Sequence, residues 1–113
     1  MTPAQLDKLR RIDAHLANLL STAEKRTPGE FYHREFRAHD QNSRQVATAM
    51  SLDFSNDQCV HNAAFIAAAA GNAEAGWRAT RSLIDYLLMM HKHGDGYRYV
   101  GLTEDLLAAF PNV

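Results

Sequence analysis

Apolar residues recur at helical spacing near both ends of this chain and lose that spacing in between. Leu9, Ile12, Leu16 and Leu19 fall at steps of three, four and three, and Leu6 and Leu20 widen the stripe. Asp7, Lys8, Arg10, Arg11 and Asp13 take the opposite face, so the segment predicts an amphipathic helix running to about Glu24. Its start is marked by Thr2 as a cap, Pro3 at the first helical position and Gln5 at capping-box distance.

Thr27-Pro28-Gly29-Glu30 repeats that start signal and predicts a second helix from Pro28 to Met50. Its stripe is weak: Tyr32, Phe36, Val46 and Met50 share a face with His39 and Ser43, and the remainder is charged. Ser55 with Gln58 gives a further capping spacing, predicting a third helix from Asn56 to Ala70. Asn72 then caps a fourth helix through about His91, carrying Trp77, Leu83, Ile84, Leu87, Leu88 and Met90. The alternative is one helix kinked at Gly71, since a glycine costs only about 1 kcal/mol relative to alanine. Gly94-Asp95-Gly96 stops it, Tyr97-Arg98-Tyr99-Val100 reads as short and extended, and Thr103 caps a last short helix that Pro111 ends.

Alternation of period two is nowhere sustained, so the expected fold is all-α: a small bundle of four main helices plus a short C-terminal helix. The expected core is Leu9, Ile12, Leu16, Leu19, Phe65, Ile66, Trp77, Ile84, Leu87 and Leu88. The 113 residues suit a single helical domain spanning 1–113.

Composition narrows the function. With 46% hydrophobic and 22% charged residues the chain should fold rather than stay disordered. Twelve Lys and Arg against thirteen Asp and Glu leave a net charge of -1, which exerts no general pull on nucleic acid or anionic membrane. The charge is uneven: residues 1–50 hold eight cations and six acids, residues 51–113 four and seven. Cys59 is the only cysteine and excludes an internal disulfide, and the longest apolar run, Ala63 to Ala70, is too short to span a bilayer. No secretory pattern opens the sequence, so a cytoplasmic location without membrane contact is expected.

Candidate chemistry is sparse. His33 and His39, His91 and His93, and the Cys59/His61 pair all miss the spacing of three or four that brings two ligands to one helix face, so no metal is expected. Nucleophile and phosphate-loop motifs are lacking, which argues against an enzyme and against a cofactor. Two patches remain as binding candidates. Tyr32, His33, Arg34, Arg37 and Arg44 mix aromatic and cationic side chains, the types enriched in interface cores and in nucleic-acid contacts. The bland alternative is a solvated helix face balanced by Glu30, Glu35 and Asp40. Tyr97, Arg98 and Tyr99 beside the Gly-Asp-Gly turn have the composition of a recognition loop. Their alternative is one tyrosine tucked under the domain with Arg98 in a salt bridge.

The run His61-Asn62-Ala63-Ala64-Phe65-Ile66-Ala67-Ala68-Ala69-Ala70, followed by Gly71-Asn72-Ala73-Glu74-Ala75, resembles a segment of small accessory proteins of tailed phages and prophages, Asn-Ala-x-Phe-Ile-Ala-x-Ala. The resemblance carries over no site residues. It implies a product of the bacterial host cytoplasm, of a kind that includes inhibitors of host defences such as CRISPR effectors and proteins that sequester defence nucleotides. The expected function is therefore a non-catalytic interaction protein that binds and inhibits a host protein or defence complex. The alternative is a helical nucleotide- or nucleic-acid-binding module in which aromatics stack and arginines meet phosphate. A homodimer is expected, because the alanine-rich segment and the weak second stripe bury little apolar surface within one chain.

Overall fold

The first helix begins as its residues dictate. In the computed structural model the Gln5 amide donates to Thr2 Oγ1 at 3.2 Å and the Thr2 amide donates to Gln5 Oε1 at 3.0 Å, a closed capping box. The structure describes residues 1–26, 31–34, 37–48 and 56–113, the side chains of His33, Thr48 and Asn56 excepted. In chain order the elements are α1 (Pro3–Ala23), β1 (Tyr32–Arg34), β2 (Arg37–His39), β3 (Gln45–Thr48), α2 (Asn56–Lys92), a 3-10 turn (Gly96–Tyr99) and α3 (Val100–Ala108). They divide into a helical unit, Met1–Thr22 with Gly76–Val113, and a second unit, Ala23–Ala75.

In the helical unit Leu9, Ile12 and Leu16 of α1 cluster with Ile84 and Leu87 of α2 and Leu106 of α3. Leu19, Trp77, Leu88, Tyr99, Leu107 and Phe110 pack around them, partly buried. Each large side chain taken out of water contributes about 1.5–3 kcal/mol, so this cluster is the unit's main stabilising feature. Asp13 and Arg81 tie α1 to α2 at its margin, Arg81 Nε donating to Oδ1 at 2.9 Å. At the C-terminus of α2 the Gly94 amide donates to the His91 carbonyl at 3.0 Å and the Asp95 amide to the Met90 carbonyl at 2.8 Å. With Gly94 at φ +81, this is a Schellman stop, which needs the left-handed conformation that glycine adopts freely. Gly96 then passes so close that a Cβ there would lie 3.2 Å from His91 Cα.

The second unit holds a three-stranded antiparallel sheet in the order β1-β2-β3. Tyr32 pairs with His39, His33 with Ala38 and Arg34 with Arg37; Arg37 pairs with Thr48, Ala38 with Ala47 and, past an irregularity between Ala38 and His39, His39 with Gln45. The β2–β3 turn is built on Asp40, only 2% exposed, whose Oδ1 accepts from the amides of Asn42 at 2.9 Å and Arg44 at 3.0 Å. Its backbone also exchanges with the turn: its amide donates to the Arg44 carbonyl and its carbonyl accepts from the Ser43 amide, both at 3.0 Å. Ser43 sits at φ 62.

The expected all-α bundle of four main helices with a short fifth is overturned: the described residues form three α-helices and a sheet. Strands occupy the described part of the expected helix from Pro28 to Met50, while Thr27-Pro28-Gly29-Glu30, Phe36 and Met50 lie outside the described residues, as does Ser55. The turn-forming Asp40-x-Asn42-Ser43 falls mid-segment and outweighs the weak helical stripe. The expected third and fourth helices are one, α2, because flanking alanines and an unobstructed position at Gly71 offset the glycine's small cost. Asn72 caps nothing; its Nδ2 donates to the Ala68 carbonyl at 2.8 Å inside the helix. Tyr97 to Tyr99 form a 3-10 turn rather than an extended piece, and Thr103 is a buried residue within α3 rather than its cap. Phe65, expected in the core, is 73% exposed, since Cys59, Ala63 and Ala67 take the buried face of α2 there. Among the described residues no helix is long and apolar enough to cross a membrane.

Candidate functional site

Strand geometry sorts the first candidate patch into a face. Directly opposed residues of an antiparallel pair share one side of the sheet, as do residues two apart along a strand. Tyr32 opposite His39 and Arg34 opposite Arg37 therefore put two rings and two guanidinium stems on one face. The intervening Ala38 is fully buried on the other. Tyr32, Arg34 and Arg37 are exposed and His39 is half-buried, so this is the solvated face of the sheet.

Tyr32 and His39 stack with ring centroids 5.1 Å apart and planes 14° from parallel. Tyr32 keeps 40% of its surface exposed. About 7 Å further along the strands, two residues at the usual rise, stand the opposed arginines. Like charges directly opposite one another are destabilising in a sheet, and an anion between them would reverse that penalty. Arg37 already engages another group, but a guanidinium has five donors and can take a second acceptor.

The other sequence candidates are placed differently. His33 pairs with Ala38 in the ladder, and its side chain lies outside the described residues. Arg44 closes the Asp40 turn through its backbone and leaves its side chain exposed. Tyr97, Arg98 and Tyr99 belong to the helical unit and use their chemistry on one another and on neighbours. Tyr99 packs on the core, and its hydroxyl lies 2.8 Å from that of Tyr86, the rings meeting edge to face. That hydrogen bond, helped by burial and by the negative charge of Asp95, raises the pKa of Tyr86 above the usual phenol value. Arg98 lies 5.8 Å from the centre of the exposed Tyr97 ring, donates to its hydroxyl at 3.3 Å, and has Asp95 Oδ1 at 3.9 Å. Among the described residues no group of three or more His, Cys, Asp or Glu is arranged to hold a metal ion.

Sequence reasoning missed His39 as the partner of Tyr32, and the signal was there. Tyr32, Arg34, Arg37 and His39 alternate with non-members on either side of a short interruption, the period of a strand pair. Compared with protein families, curated proteins and solved structures, the chain matches none.

Proposed function

We propose that this protein is a non-catalytic binding module that takes a nucleotide on the solvated face of its sheet, the base over Tyr32 and the phosphate between Arg34 and Arg37. The observation that carries this reading is the opposed arginine pair one strand repeat away from the Tyr32–His39 stack. A nucleoside 5′-phosphate separates its base from its phosphate by a comparable length. Stacking on an aromatic ring is worth about 1–3 kcal/mol per base, and arginine forks meet phosphate oxygens two at a time.

Charge favours a small ligand over a long polyanion. The unit Ala23–Ala75 carries five Lys and Arg against seven Asp and Glu, so its field as a whole repels nucleic acid while the local pair attracts a single phosphate. Calorimetric titration with adenosine and guanosine monophosphates tests the reading. Saturable binding that weakens at least tenfold in Arg34→Gln and in Tyr32→Ala supports it. Affinity unchanged in the Arg34→Gln/Arg37→Gln double variant defeats it.

A second reading, inhibition of a host protein or defence complex, draws on one observation in the same unit: Phe65 is 73% exposed and Val46 48%. A partner that covers these side chains removes their apolar surface from water. Stoichiometric co-purification of a host complex that Phe65→Ser abolishes and Arg34→Gln leaves intact would favour this reading over the first.

A further inference from the structure

The helical unit contains a cleft of about 580 Å³ that the sheet-face reading does not use, formed between the first turns of α1 and the last turns of α2. That volume lies within the roughly 300–1,000 Å³ of small-molecule sites. Leu6 and Arg10 stand one turn apart on α1, and Leu88 and Lys92 one turn apart on α2, so each helix lends the cleft one apolar residue and one cation. Met89 adds to the apolar lining and is 46% exposed, while His91 and His93 complete the lining without a carboxylate among them.

Arg11 pairs with Asp7, Arg81 with Asp13 and Arg98 with Asp95, whereas Arg10 and Lys92, like Lys8 outside the cleft, make no ion pair among the described residues. The negative end of α2 accounts for Lys92, since cations are stabilised there. It does not account for Arg10, which comes from the other helix. The carbonyls of Met89, Met90 and His91 at that helix end accept from the amides of His93, Asp95 and Gly94.

We infer that this cleft binds a small soluble amphipathic carboxylate, its head between Arg10 and Lys92 and its alkyl body against Leu6, Leu88 and Met89. The inference is independent of the nucleotide reading and stands in the other unit.

Titration of the whole protein with octanoate and decanoate below their micelle concentrations, followed by calorimetry and by amide chemical shifts, tests it. Saturable one-to-one binding is expected, with decanoate about tenfold tighter than octanoate, as two more buried methylenes require. Arg10→Gln and Lys92→Gln should each weaken it at least fivefold while circular dichroism and melting temperature stay unchanged, and Arg34→Gln should leave it untouched. Decanol, with the same chain and no charge, should bind more weakly. The inference is overturned if decanoate does not saturate, if decanol equals it, or if the Arg10→Gln/Lys92→Gln double variant retains full affinity. Equal affinity for anionic phosphatidylglycerol vesicles would overturn it as well and identify a membrane surface as the occupant.

Discussion

The two units bury different kinds of side chain. In the helical unit Leu9, Ile12, Leu16 and Ile84 are 0% exposed, and Leu87 and Leu106 at most 9%. In the second unit the buried apolar residues among those described are Ala38, Cys59, Ala63 and Ala67, all small. Hydrophobic stabilisation scales with the apolar area removed from water, so residue for residue the described part of the second unit gains much less. Polar devices stand beside these small residues. Asp40 holds its hairpin turn, and Arg26 donates to Glu74 at 3.0 Å with its guanidinium 5.4 Å from the centre of the Phe31 ring. The sheet face of Tyr32, His39, Arg34 and Arg37 lies in this unit, with Tyr32, Arg34 and Arg37 displayed to solvent.

The contrast is broken or confirmed most directly by truncating one buried residue in each unit. Ile84→Ala removes a fully buried branched side chain and should cost about 2–5 kcal/mol, read as a fall in denaturation midpoint. Ala63→Gly, at an equally buried position of α2, should cost only about 1 kcal/mol, the helix-propensity difference. Equal losses from the two would refute the claim that large side chains stabilise one unit and small ones the other.

Asp40→Ala comes next in size. The substitution strands two turn amides whose acceptor is buried, at about 1–3 kcal/mol. Native-state hydrogen exchange should localise the loss: amides of β2 and β3 should exchange faster while those of α1 keep their protection. Uniform loss of protection would mean that the turn is not a local device.

The same contrast explains what could be read from the sequence. α1 and the C-terminal part of α2 were legible because leucine and isoleucine repeat over several turns, and the phase of such a stripe is redundant. The sheet was not, because its strands are three or four residues long and period two cannot establish itself over so few positions. Asp40, Asn42 and Ser43 carry a turn signature, but the helical reading took Asp40 as part of a solvated charged face and Ser43 as part of its stripe. Phe65 was misplaced because hydrophobicity was weighed above phase: the buried line is Cys59, Ala63 and Ala67, at steps of four, and Phe65 lies two residues off it, on the opposite side. The candidate site was half legible. Tyr32, Arg34 and Arg37 stood out as residue types, but only the register unites them with His39 on one face.

Thr103→Val sharpens the comparison from the other direction, by removing a polar flaw from the apolar unit. Thr103 is 1% exposed in α3 and its hydroxyl has no hydrogen-bond partner among the described residues. Replacing that hydroxyl with a methyl group of similar size should raise stability by about 1 kcal/mol, since a buried unpaired hydroxyl costs about that much or more. A fall in melting temperature would show that the hydroxyl is satisfied in solution.

The smallest expected effect lies in the β2–β3 turn. Ser43 is the one non-glycine residue with positive φ among those described, at 62°, in the left-handed region where a Cβ crowds the following carbonyl. The turn imposes this conformation, because the Asp40 carboxylate reaches both Asn42 and Arg44 and the chain between them must curl back. Glycine removes the crowding, worth about 1–2 kcal/mol, but loses more conformational entropy on folding, about 0.5–1 kcal/mol. The balance predicts a gain of about 0.5 kcal/mol for Ser43→Gly, measured as slower exchange of the β2 and β3 amides. Combined with Asp40→Ala the gain should shrink, because without the carboxylate the turn no longer forces position 43 into the left-handed region. Strict additivity of the two substitutions would show that the strain at Ser43 and the hold of Asp40 are independent, and would separate the hairpin's geometry from the polar device credited with setting it.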